Sequence, residues 1–381
     1  MTVLAHGVGQ SPDLPLPLDL VLQAGAATVV VSFLVVAVWW KQPRLTTPVP
    51  ERPAPGRSLR FVVLAAALYF TGNAFLGPPG PANPAAHALF VWLWVGLVPV
   101  SIVFGPVWRA VNPLRTVFRL LRLPAGGLWP VPVSAGRWPA AIALLAFVWF
   151  ELVAPHRGDP AAVGSFLLGY AAVQLALATM YGEEWFAGGD CFEVTSTLAG
   201  RLHRNPLAGI AQTADGPGLA AFLAVWWGST IFDSASGLVP TIRYGTAVLL
   251  ALCGLVLVSV RVLARRLDVT ASLIPIAVGY TLAHYASLLL VEAPRGVLLT
   301  VQQWGLADDA QWDFVPAAGV LAMVQVTLIL AGHVLGVVVA HDKALTDGPQ
   351  RPALATLADE LPVVLLMIGY TWAGLFLLLA H

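Results

Sequence analysis

Apolar runs of about 20 residues recur from one end of this chain to the other, with charged or proline- and glycine-rich breaks between them. A helix rises 1.5 Å per residue, so ~20 residues cover the ~30 Å hydrocarbon core of a bilayer. Of the 381 residues, 58% are hydrophobic and 10% charged, against about 25% charged in a soluble domain. A water-soluble fold has too little polar surface here to cover its apolar content. Backbone amides in lipid must be paired within their own segment, and the alternating ten-residue pattern of a barrel is missing, so each run is expected to be a helix. The expected fold is all-α: one polytopic transmembrane helix bundle over 1–381. Its ten spans fall near 18–40, 61–77, 85–107, 138–154, 161–182, 217–232, 244–260, 270–291, 315–339 and 361–380.

Basic residues set the orientation. Lys41 to Arg60, Arg109 to Arg137, Arg201 with Arg204, Arg261 to Arg266, and Lys343 with Arg351 hold 17 of the 20 Lys and Arg residues; the alternate loops keep only Arg157, Arg243 and Arg295. Positive charge is retained on the cytoplasmic side, which places both termini outside and the chain in the cytoplasmic (inner) membrane. Met1 to Gln10 lacks a basic region and an apolar stretch, so it reads as a short tail and not a cleaved signal peptide. Net charge is zero and no long basic run exists, which leaves nucleic-acid binding without support. Cys191 falls in a loop and Cys253 in a span, which argues against a disulfide between them.

Two loop segments carry helix signals. Asn112-Pro113 has the form of an N-cap followed by proline, and Leu114, Val117, Phe118 and Leu121 recur at helical spacing opposite Arg115, Arg119 and Arg122. That predicts an amphipathic helix over 112–122 on the cytoplasmic leaflet. Asp190 and Glu193 have capping-box spacing, which predicts a second cytoplasmic helix over 190–204. A repeat of five spans finds little support; the clear echo is Gly279-Tyr280-Thr281 against Gly369-Tyr370-Thr371.

Ionisable side chains inside a bilayer cost several kcal/mol unless paired, so they are the candidates for chemistry. His284 lies eight residues before Glu292, ~12 Å below the outer end of its helix, with Tyr280 and Ser287 on its face to fix a tautomer. The outer helix ends also present His6, His87, Glu151, His156, Asp233 and Glu292. His and carboxylate are the ligand types of hydrolytic metal centres, although no pair of histidines one turn apart marks one here. The competing reading is a set of hydrogen-bonded polar residues at the membrane rim. His333 between Gly332 and Gly336 suggests close helix packing, and Gln174 and Gln325 suggest interhelical hydrogen bonds. Glu183, Glu184, Asp190 and Glu193 could bind a cation, but capping and solvation also explain them. No Walker loop, Rossmann fingerprint, G-x-S-x-G elbow or CxxC is present.

Several segments together resemble the bacterial membrane proteins of the fenitrothion hydrolase family. They are Leu4-Ala5-His6-Gly7-Val8-Gly9; Gly105 to Arg109 with Asn112 to Arg115; Tyr181 to Phe186 with Gly189-Asp190; Gly228 to Thr230 with Phe232-Asp233; and Gly279 to Thr281 with Ala283 to Tyr285. The resemblance implies hydrolysis of an apolar phosphotriester at a membrane-bound, outward-facing site. On that reading His284, His87, Asp233 and His6 are ligands of a divalent metal, Zn or Mn, and Glu292 or Glu151 is the base or supports a ligand. The apolar small-molecule substrate would arrive through the lipid bilayer, and a homo-oligomer or a partner membrane subunit is compatible with it. Two other readings compete: a transporter or metal-handling permease, which needs a polar route past His284 to the cytoplasm, and a cofactor-binding or assembly subunit of a membrane complex.

Overall fold

The computed structural model describes residues 17–47, 58–236, 241–263, 270–347 and 353–379, and within them the chain forms α-helices and no strand. In chain order these are α1 (Leu18–Trp39), α2 (Leu59–Leu76), α3 (Leu97–Phe104), α4 (Trp108–Val111), α5 (Pro113–Leu120), α6 (Trp138–Leu152), α7 (Pro160–Tyr181), α8 (Trp185–Gly189), α9 (Cys191–Gly200), α10 (Pro206–Ala211), α11 (Leu219–Ala235), α12 (Thr241–Leu263), α13 (Ile274–His284), α14 (Ala286–Gln303), α15 (Ala318–Asp347) and α16 (Ala353–Leu379). A π-helical stretch, His87–Val95, precedes α3.

Among the described residues, seven helices are long and apolar enough to cross a membrane: Leu18–Trp39, Leu59–Leu76, His87–Phe104, Pro160–Tyr181, Tyr244–Val262, Ala318–Thr346 and Glu360–Leu379. Thr270–His284 and Ala286–Gln303 qualify as an eighth only when taken together across the break at Tyr285. Trp138–Leu152 and Leu219–Ala235 are apolar but shorter. Three helices begin with the same local device, an Asx side chain capping the helix ahead of a proline that needs no amide partner. Asn112 accepts from Leu114 N (2.9 Å), Asp159 from Ala161 N (3.2 Å) and Asn205 from Ala208 N (3.3 Å).

The chain divides into two compact units. The first holds 58–200 and 287–316. Its α2 buries only Leu64 and Ala74, while Val62, Leu68 and Leu76 are exposed, the pattern of a helix whose surroundings are themselves apolar. By contrast, α8 and α9 turn inward: Gln174 on α7 donates to Gly189 O (2.8 Å) and accepts from Trp185 Nε1 (2.8 Å), and Ser196 on α9 meets Ser101 on α3 (2.8 Å). All of α9 except Thr197 is buried. The helix expected over 190–204 therefore forms within those limits, but as an interior element. Its capping box is half made, since Asp190 accepts from Phe192 N (3.0 Å) while Glu193 turns to another partner described below.

The second unit holds 17–47, 201–286 and 317–379. Its centre is α11, in which every residue except Ile231 and Ala235 is buried, as expected of a helix apolar on all sides. α13 and α15 pack backbone to backbone. A side-chain carbon at Gly279 would stand 2.6 Å from Leu328 O, one at Gly332 2.5 Å from Pro275 O, and one at Gly336 2.7 Å from Ser272 O. The small-residue spacing around His333 does allow the close approach that the sequence suggested.

The echoed motifs differ in this respect, because a carbon added at Gly369 meets nothing within 4 Å. Gly279→Ala should destabilise the protein by about 1–3 kcal/mol through overpacking against a backbone carbonyl. Gly369→Ala should stabilise it by about 0.5–1 kcal/mol, because it removes a mid-helix glycine at no steric cost. Denaturation midpoints of the two variants in one detergent check the pair, and equal shifts would contradict the packing described.

Candidate functional site

In the second unit, α11 and α13 bring five buried polar side chains into one hydrogen-bonded chain. His284 Nε2 lies 2.8 Å from Asp233 Oδ2, and Tyr285 donates its hydroxyl to the same oxygen (3.0 Å). On the other side of the imidazole, Nδ1 lies 3.1 Å from Ser234 Oγ, which is 2.9 Å from Tyr280 Oη. Asp233 and Ser234 are consecutive near the end of α11, so one presents a carboxylate and the other a hydroxyl to opposite edges of one ring. His284 sits at the last position of α13, where the helix stops and Tyr285 can turn back onto Asp233. With the proton on Nε2, His284 donates to the carboxylate and Nδ1 accepts from the Ser234 hydroxyl. The alternative acceptor for that hydroxyl is Thr230 O at 2.9 Å.

The first unit holds a second histidine–carboxylate pair. His87, at the start of the π-helical stretch, places Nε2 3.0 Å from Glu292 Oε2, and Arg295 Nη1 donates to Glu292 Oε1 (2.8 Å). Gly296 makes the approach possible, since a side-chain carbon there would stand 2.7 Å from His87 Cβ. Both Glu292 oxygens are engaged, so the carboxylate acts as an anchor for His87. Glu151 is buried on α6 in the same unit.

The motifs expected in the cytoplasmic loops meet in a third cluster, also in the first unit. Arg115 grips Glu193 with two bonds of 2.7 Å and reaches Glu183 at 3.1 Å, while Arg119 reaches Glu183 at 2.5 Å. Asp190 accepts from Asn112 Nδ2 (2.8 Å), Trp108 Nε1 (3.2 Å) and the Tyr170 hydroxyl (2.6 Å). Arg115 is 3% exposed and Phe118 1%, while Leu121 is 62% exposed, so the helix, Pro113–Leu120, buries a face that holds both an arginine and a phenylalanine in place of the clean division expected. Arg115 turns inward because Glu193 lies there, Arg119 stays half exposed, and the acidic group is met by arginines and by the amide, indole and phenol donors of Asn112, Trp108 and Tyr170.

Arg115→Leu leaves the Glu193 carboxylate buried without its counter-charge, and should cost about 3–5 kcal/mol in a denaturation measurement. Burial, and then the charge of Glu193, pushes the Asp190 carboxyl up to about 6. An unfolded aspartate holds its proton only below about 3.9, so the folded protein binds this proton more tightly. The stability due to it is complete below that value and is lost as pH rises through about 6. Asp190→Asn should therefore flatten the slope of melting temperature against pH between about pH 4 and 6, whatever its absolute stability.

Of the expected site residues, the structure joins His284 to Asp233 and His87 to Glu292; His6 lies outside the described residues. Ser234, Tyr285 and Arg295 were not singled out in the sequence, although each sits within three residues of one that was. Ser234 fills the place beside the imidazole expected for Ser287. Among the described residues no three His, Cys, Asp or Glu side chains converge as a metal site requires. In both pairs the carboxylate oxygen nearest the imidazole is already taken up by it, so these residues as placed do not fit a metal centre. Comparison with family models, with curated proteins and with solved structures gives no match.

Proposed function

We propose that this is a multi-pass protein of the cytoplasmic membrane, with ten spans and both ends outside, that hydrolyses an apolar ester through the chain Asp233–His284–Ser234. The observation that carries the reading is the imidazole held between a buried carboxylate at 2.8 Å and a serine hydroxyl at 3.1 Å. This is the order of groups that serves nucleophilic catalysis on unrelated folds. The family resemblance implies a neutral phosphotriester as the substrate class, and such a molecule partitions into the lipid around the helices.

Ser234 Oγ attacks phosphorus as its proton passes to His284 Nδ1. Asp233 stabilises the imidazolium and keeps the ring from turning. The aryl oxide departs with the electrons of the broken P–O bond and takes the proton from His284. Water then cleaves the phosphoserine ester, with His284 again the base, and restores the serine. Tyr280, 2.9 Å from Ser234 Oγ, is the hydroxyl best placed to donate to the phosphoryl oxygen as it gains charge.

The purified protein in detergent should turn over a chromogenic phosphotriester. Ser234→Ala and His284→Ala should each lower kcat/KM by about 10³-fold or more, and Asp233→Asn by about 10²–10⁴-fold. No turnover by the wild type, or full activity in Ser234→Ala, would refute the reading.

A further inference from the structure

The second unit contains another buried histidine–carboxylate pair that the ester reading does not use. Gln325 on α15 donates to Ala283 O (3.0 Å), next to His284. His341 is sixteen residues farther along the same helix, ~24 Å away by helix rise. His341 Nε2 stands 3.0 Å from Trp40 O, and Nδ1 stands 2.9 Å from Glu360 Oε2. A carbonyl can only accept, so Nε2 must carry a hydrogen. The short contact on the opposite edge then requires one more proton between Nδ1 and Oε2, held either as imidazolium with carboxylate or as neutral imidazole with carboxylic acid.

The second oxygen of Glu360 supplies an independent observation. Oε1 is buried and meets no hydrogen-bond donor among the described residues, in a residue that is 4% exposed. Glu360 and His341 border a cavity of about 10 Å³ whose remaining walls are apolar, among them Phe33, Val364 and Met367. A space of that size is at the limit for one water-sized species. Sodium or calcium would lack the several oxygen ligands such ions need. A donor of the size of water, exchanging a proton with Oε1, matches both the orphan acceptor and the walls. Asp342 is the other acid facing His341, and its Oδ1 is occupied by Trp40 Nε1 (2.7 Å) and Arg44 N (2.7 Å).

We propose that Glu360 and His341 form a proton-exchange site. The cavity admits the proton to Glu360 Oε1, and the proton already shared between Oε2 and Nδ1 moves fully onto the imidazole or returns as the carboxyl gains or loses charge. The site is separate from Asp233–His284, at the opposite end of α15, and does not depend on ester hydrolysis.

Infrared difference spectra of the full-length protein in water and heavy water test it. In an Asp190→Asn background, which removes the other carboxyl pushed up to about 6, the protein should show a carboxylic-acid carbonyl band that shifts on deuteration and titrates with pH. The band should be lost in Glu360→Gln and kept in His284→Ala. His341→Gln, which keeps the carboxyl but removes its titrating partner, should move the midpoint by at least about one pH unit, a tenfold change in proton affinity. Absence of a titrating band in that background, or a band that survives Glu360→Gln there, overturns the proposal. Ester turnover in Glu360→Gln, read alongside, should match the wild type.

Discussion

A charge inside an apolar helical bundle must find its counter-charge there, because removing either ion from water costs several kcal/mol. Glu193, Asp233, Glu292 and Glu360 follow this rule with two kinds of partner, whereas Asp190 is met by neutral donors and its carboxyl is pushed toward the protonated form. Glu193 is held by Arg115, whose guanidinium never gives up its proton, so that contact can only hold segments together. Asp233, Glu292 and Glu360 face histidines, which can be charged or neutral at physiological pH. The arginine cluster is therefore a fixture, whereas the histidine pairs can hand a proton on.

What places the pairs is close backbone packing. In the second unit, α13 and α15 touch through three glycines, and this contact sets the level at which His284 ends its helix beside α11. In the first unit, Gly296 performs the same service for His87. Larger residues at these positions would push the partners beyond hydrogen-bond reach before any charge was altered. The polar chemistry thus depends on the absence of side chains elsewhere.

Much of this could be read from the residues alone, and the limits have a physical cause. Hydropathy marked the helices, because a helix in lipid has to be apolar for its whole length. It also singled out His284, Asp233, His87 and Glu292, because a polar residue stands out in such a run. Their pairing was not legible, since Asp233 and His284 are 51 positions apart and periodicity says nothing about which helices are neighbours. The face of the 112–122 helix was misjudged for a related reason. Spacing separated Arg115 from Phe118, but both turn inward, because an acid 78 positions away in α9 receives the arginine. Ser234 passed unnoticed because serine in an apolar helix ordinarily bonds its own backbone, as this one also does.

The π-helical stretch from His87 to Val95 carries an implication for how this segment can vary. A wide turn of this kind holds one residue more than an α-helix of the same rise, so it behaves as a single-residue insertion absorbed without breaking the helix. Deleting any one residue within 89–95 would let the stretch relax to ordinary α-helical winding. His87 would then keep its angular position relative to α3, because the wide turn had already absorbed the additional residue, and would stay on the side of Glu292. The wide turn thus uncouples the imidazole's orientation from local chain length, and a relative lacking the extra residue would keep both the histidine and its partner.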